Sequence, residues 1–162
     1  MGPTSGGKTT IAKHLLGHLR VDGWPCMHFD GDEVRNFFSE DLGFKVSDRL
    51  RVVGTLAHLA SKTSDAGVNV IVSALTASED ARRLVLDTVD KLIIVYVRCS
   101  IETCQARDPK GLYARARNGE IDTLIGVNSE YVPPENPDIV IDTETLSPAD
   151  AVDAIMGHIG RA

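Results

Sequence analysis

At 162 residues, with 43% apolar and 25% charged side chains, the sequence has the length and composition of one ordinary soluble domain with a sizeable core. A formal net charge of −6 argues against nucleic acid or an anionic membrane as a partner, and no apolar run approaches a membrane span. Three cysteines (Cys26, Cys99, Cys104), odd in number and without a CxxC spacing, point to reduced, mostly buried thiols in a cytoplasmic protein rather than disulfides or zinc.

The chain opens on Gly2-Pro-Thr-Ser-Gly-Gly-Lys-Thr9, a complete GxxxxGK[ST] phosphate-binding loop. Its four fixed positions match by chance in roughly one chain of this length in two hundred. Such a loop wraps backbone N–H groups around the phosphates of a nucleoside triphosphate. Gly2, Thr4, Ser5, Gly6, Gly7, Lys8, Thr9 and Thr10 are the expected contacts to ATP. Lys8 is expected on the β/γ-phosphates and the Thr9 hydroxyl on Mg²⁺. A helix over about 8–21 follows directly, with Ile11, Leu15, Leu16 and Leu19 on one face, which is the context that supports the motif. The strand that normally carries such a loop is missing ahead of Gly2, so upstream residues and a gap near the middle of the sheet are expected.

Elements then alternate. A strand is predicted at about 25–30, a short helix at about 33–40, and a helix over 47–66 with Val52, Val53, Leu56, Leu59 and Ala60 inward. Gly67 introduces a buried strand, Val68–Val72. A helix over about 78–90 precedes Leu92–Val97, a continuous β-branched run as expected of a strand covered on both faces. Two short helices, about 101–107 and 111–118, lead through a Pro-rich stretch to a last strand at Asp138–Asp142. Ser147-Pro148 starts the final helix, with Val152, Ile155, Met156 and Ile159 inward. The alternation predicts one α/β domain over 1–162, a three-layer parallel sheet of the P-loop NTPase type with helices on both faces.

Two segments carry chemistry. Asp30-Gly31-Asp32 falls at a strand end beside the phosphates, where two carboxylates can orient a Mg²⁺-bound water and accept a proton from an attacking hydroxyl. The blander reading is a turn in which Asp32 caps the next helix, and the two are compatible. Arg107, Lys110, Arg115 and Arg117 form a basic run in an acidic chain, either a lid over bound phosphates (about 105–130) or a solvated helix face. His14 and His18, one turn apart, fit a surface face better than a metal site. Phe37, Phe38 and Phe44 read as core or lid packing, with one of them available to stack on a base.

These residues resemble the adenylylsulfate kinase family, over nearly the whole chain. The likeness runs through the loop at 2–9, Asp30-Gly-Asp-Glu-Val-Arg35, Asp41-Leu-Gly-Phe44, Asp48-Arg49, Asp65-Ala-Gly67, and the distinctive Arg107-Asp-Pro-Lys-Gly-Leu-Tyr113. It continues in Ala116–Ile121, Ser129-Glu-Tyr131 and Pro134-Glu-Asn-Pro137. The resemblance implies transfer of the ATP γ-phosphate to the 3′-hydroxyl of adenosine 5′-phosphosulfate. It implies that Lys8 and Thr9 serve the ATP phosphates and Mg²⁺, and that Asp30 and Asp32 serve the hydroxyl and the metal's water. Arg35 and Arg49 would bind the acceptor, Phe44 would stack on its base, Arg107 would lie against the ATP adenine, and Lys110 would reach the acceptor or the transferring phosphate. Homodimers are also implied.

Departures cluster on the acceptor side. Leu50–Thr55 stands where the family has an Asn and paired Arg. Leu75–Ser78 replaces Ile-Ser-Pro-Tyr, with Thr76 at the serine, and Leu124 stands where a Phe completes the base sandwich. Losing one aromatic face costs on the order of 1–3 kcal/mol of stacking. Two alternatives therefore stand beside the main reading. One is the same chemistry on another nucleotide-type acceptor such as cytidine diphosphoramidate, a cytidine diphosphate derivative. The other is a non-catalytic ATP-binding module.

Overall fold

The computed structural model describes residues 1–38, 42 and 45–160. In chain order the elements are α1 (Lys8–Val21), β1 (Cys26–Asp30), α2 (Gly31–Phe37), α3 (Val46–Asp65), β2 (Asn69–Ser73), α4 (Glu79–Thr88), β3 (Val95–Arg98), α5 (Ile101–Arg107), α6 (Leu112–Arg117), β4 (Ile139–Asp142) and α7 (Pro148–Ile159). The helix predicted at 33–40 begins two residues earlier, because Asp30 rather than Asp32 is its cap. Asp30 is extended (φ −106°, ψ 133°) and its side chain accepts from the Asp32 amide. α7 starts as the sequence demands, on a reciprocal Ser147–Asp150 capping box with Pro148 in the first turn.

All strand pairing among the described residues is parallel, but it forms two separate ribbons. β1 pairs with β2 in the register Cys26↔Asn69 through Asp30↔Ser73, and β3 pairs with β4 from Val95↔Ile139 to Arg98↔Asp142. Met1 alone stands in line beside β3. Its ammonium donates to the Val95 carbonyl at 2.6 Å, and the Val97 amide donates to the Met1 carbonyl at 2.8 Å. Burial of that amine pushes its pKa down to about 5. β2, expected to be a buried strand, leaves Asn69 and Val72 exposed, and among the described residues it pairs only with β1. β3 likewise is buried only at Val97, with Val95 and Tyr96 half-buried and Arg98 exposed.

One core joins the ribbons to α1 and α7: Ile11, Leu15 and Leu19 meet Val97, Ile141, Val152 and Ile155. The opposite layer is α3, whose Val52 and Leu56 pack with Leu42, Phe29, Val34 and Phe38. Leu59, expected inward, lies on the margin of that face and is exposed. A third cluster of Cys99, Cys104, Tyr113, Ala116, Ile121 and Leu124 supports the segment after β3. All three cysteines are buried and unbridged. Because the strand C-termini share one end of the molecule, the loops that follow them converge.

Candidate active site

Those loops enclose a cavity of about 950 Å³. Its floor is the glycine-rich turn, with Thr4, Ser5, Gly7, Lys8, Thr9 and Thr10 exposed to the space. The turn is built by sterics. A Cβ at Gly2 would meet the Val97 carbonyl oxygen at 2.4 Å, so no other residue fits there. Gly7 caps α1 in the left-handed region (φ 98°) without any side-chain cap, which leaves the first amides of the helix for an anion. Ser5, also left-handed (φ 61°), has a buried Oγ without a hydrogen-bond partner. The Lys8 ammonium turns back onto the Pro3 carbonyl at 2.6 Å. Burial pushes Lys8 down to about 8, opposed mainly by the charge of Asp32. An orphan hydroxyl, uncapped amides and a cation satisfied only by its own loop fit a polyphosphate.

Asp30 is 5% exposed and sits behind the floor. Its Oδ2 accepts from Thr9 Oγ1 and from Ser73 Oγ, each at 2.7 Å, while Oδ1 accepts from the Asp32 amide at 2.8 Å. Burial works against the Asp30 charge, yet these donors outweigh it and hold the carboxyl below the usual carboxylate range. The pairing of a hydroxyl and a carboxylate is hard-oxygen chemistry suited to Mg²⁺. Among the described residues no group of three or more His, Cys, Asp or Glu gathers to hold a metal.

The walls come from helices. Asp32 and Arg35 on α2 and Arg49 on α3 line the cavity, and burial pulls both guanidinium groups below their ordinary value, with Arg35 adding to the effect on Arg49. Arg49 Nη2 donates to the Thr123 carbonyl. Thr76, buried with a left-handed backbone (φ 43°), and Leu124 complete this side beside Val52 and Val53. Phe44 lies outside the described residues. Of the basic run, Arg107 and Lys110 reach the cavity. Arg115 and Arg117 point outward, and Arg115 pairs with Glu120 at 3.2 Å. The Lys110 ammonium is ion-paired with Asp32 across the mouth. His14 and His18 lie on an exposed face, where His18 meets Asp22 at 3.5 Å. Phe37 is exposed, and Phe38 lies under the Arg51 guanidinium at 5.3 Å.

Three further residues tie the lid segment and the strand ends to the loop. Arg107 donates to Thr143 Oγ1 (3.0 Å) and to its carbonyl (2.7 Å), and Thr143 Oγ1 donates to the Gly6 carbonyl at 3.0 Å. The Tyr113 hydroxyl, buried, donates to the Thr4 carbonyl at 3.1 Å. Ser73 holds Asp30. Sequence reasoning passed over Ser73 and Thr143, and it quoted Tyr113 in the lid motif without giving it a role. The usable signal for Ser73 and Thr143 was their place at or just past a strand C-terminus, where ligand sites of parallel sheets lie.

The profile of the family described as adenylylsulphate kinase matches residues 1–142. A probable adenylyl-sulfate kinase of Halalkalibacterium halodurans is 37% identical over 161 residues, covering 98% of this chain and 79% of that protein. One from Archaeoglobus fulgidus is 38% identical over 143 residues, 88% of this chain and 92% of its own. Among solved structures, the Mycobacterium tuberculosis APS kinase in complex with AMPPNP and APS superposes with a TM-score of 0.93 at 30% identity, covering 99% of this chain and 94% of that one.

Proposed function

The chain belongs to the adenylylsulphate kinase family, and from that premise we propose that it transfers the γ-phosphate of ATP to the 3′-hydroxyl of adenosine 5′-phosphosulfate. The observation that carries the reading is the shared cavity, in which the phosphate-binding loop faces both Gly31 and Asp32 and the cations Arg107 and Lys110 of the lid segment, with Asp30 held behind the floor. The relative solved with an ATP analogue and APS supports it through the similarity of the whole fold.

Phosphoryl transfer asks the protein mainly for positioning and charge neutralisation. Lys8 exchanges the Pro3 carbonyl for the β/γ-phosphates. Thr9 and Asp30 are the residues that would hold Mg²⁺, which when bound would offset phosphate charge. Arg35 and Arg49 grip the anionic end of the acceptor, and Thr76 and Leu124 bound it. Arg107, locked by Thr143, lies against the ATP adenine, and Lys110 meets the acceptor or the transferring group. As the bond from the γ-phosphorus to the β-bridging oxygen breaks and the bond to the 3′-oxygen forms, the hydroxyl proton passes to the Asp30–Asp32 corner. The working unit is a homodimer in the cytoplasm; among the described residues no helix is long and apolar enough to cross a membrane.

ADP release measured with a panel of nucleotide acceptors tests the proposal. Turnover is expected with adenosine 5′-phosphosulfate. Turnover restricted to a cytidine diphosphate derivative would move the acceptor. ATP binding without turnover on any acceptor would leave a binding module.

A further inference from the structure

His28 belongs to no part of the mechanism above, yet it leads straight to the corner. It lies on β1 two residues before Asp30, so both side chains project from the same face of the strand, and Ser73 stands opposite Asp30 on β2. His28 Nε2 is 2.9 Å from Ser73 Oγ, and Ser73 Oγ is 2.7 Å from Asp30 Oδ2. An ionised carboxylate only accepts, so the single hydroxyl proton of Ser73 is committed to Asp30. The serine oxygen must therefore accept from His28, which fixes the imidazole as the Nε2–H tautomer.

We propose that His28 and Ser73 are positioning residues for the kinase reaction, a donor chain that sets the rotation of the Asp30 carboxylate against Thr9. The inference rests on the proposed function. Thr9 Oγ1 donates to the same oxygen that Ser73 does, so the carboxylate plane is fixed from two sides, while the Asp32 amide fixes the other oxygen. Without His28, the Ser73 hydroxyl loses the donor that aims it. Without Ser73, Asp30 keeps Thr9 and the amide but loses the contact on the β2 side. The chain acts through Asp30: His28 lies outside the cavity lining, and the hydroxyl of Ser73, which borders the cavity, is committed to the carboxylate.

Steady-state kinetics on the intact protein test this. His28→Leu should lower kcat about three- to tenfold with the KM for ATP within about twofold of its starting value. His28→Gln, which keeps an N–H donor, should recover most of the loss. Ser73→Ala should cost at least as much as His28→Leu, and the double variant should be no slower than Ser73→Ala alone. Unchanged kcat in His28→Leu, a Gln variant no better than Leu, or additive losses would overturn the proposal. Nitrogen-15 NMR of the imidazole provides a readout independent of turnover. An Nε2–H tautomer that is disturbed in Ser73→Ala supports the chain, and an Nδ1–H tautomer in the unaltered protein refutes it. If the unaltered protein phosphorylates nothing, the kinase reading fails, the kinetic role fails with it, and the NMR result decides the hydrogen-bonded chain by itself.

Discussion

The floor and the walls of the cavity are made in different ways. The floor is backbone: left-handed Ser5 and Gly7, a glycine pressed against Val97, and carbonyls of Thr4 and Gly6 held by Tyr113 and Thr143. The walls are side chains from α2, α3 and the segments after β2 and α6, with Arg35 and Arg49 set among Val52, Val53, Leu75 and Leu124. A backbone cradle is specified by a few contiguous residues and reads phosphate, which any nucleoside triphosphate carries. A wall of side chains is specified by residues scattered along the chain, and under the proposed function it is there that discrimination between acceptors would reside.

Substitutions on the two sides should therefore fail differently. The largest effect belongs to the floor: Lys8→Ala should cut turnover by on the order of 10³-fold while thermal unfolding and circular dichroism stay unchanged. Next is the junction, where Asp30→Asn should lower kcat by about 10²-fold or more and ATP affinity far less. The opposite split, measured by nucleotide titration against kinetics, would assign Asp30 to nucleotide binding. On the wall, Arg49→Ala should raise the acceptor KM about tenfold or more and leave the KM for ATP nearly constant. Thr143→Val should do the reverse on a smaller scale, raising the KM for ATP about three- to tenfold, because Arg107 and Gly6 lose the hydroxyl they share while Arg107 keeps the Thr143 carbonyl. Equal effects of these last two on both substrates would erase the distinction between floor and wall.

The pH dependence sharpens the same contrast. With Lys8 near 8 in the unliganded protein, its positive charge is present below that value and lost above it. ATP affinity, followed by calorimetry, should weaken as pH rises through about 8, approaching tenfold per unit beyond it if the charge is indispensable.

How much of this the sequence disclosed follows from range. The loop, α1 and the capping box of α7 are local patterns, and they were legible. The cap of α2 was misplaced by two residues because Asp30 and Asp32 both satisfy the rule for a helix start; only the extended backbone at Asp30 decides it. Burial of β2 and β3 was overstated, since an apolar run records the covering a strand is made for rather than the neighbours it has. Within the basic run, composition could not separate Arg107 and Lys110 from Arg115 and Arg117; helix phase and the turn at Pro109 do that. Ser73, Tyr113 and Thr143 are single polar residues whose partners lie 43, 109 and 137 positions away. Ser73 and Thr143 are marked only by their place at or just past a strand end, and Tyr113, though it closes the Arg107–Tyr113 motif, finds its partner in the loop only through the fold.

The bridge between Lys110 and Asp32 joins positions 78 apart across the cavity mouth. Any anion that draws the ammonium to itself strips the aspartate of its partner. Seating an anion and uncovering a carboxylate are thus coupled at this one bridge.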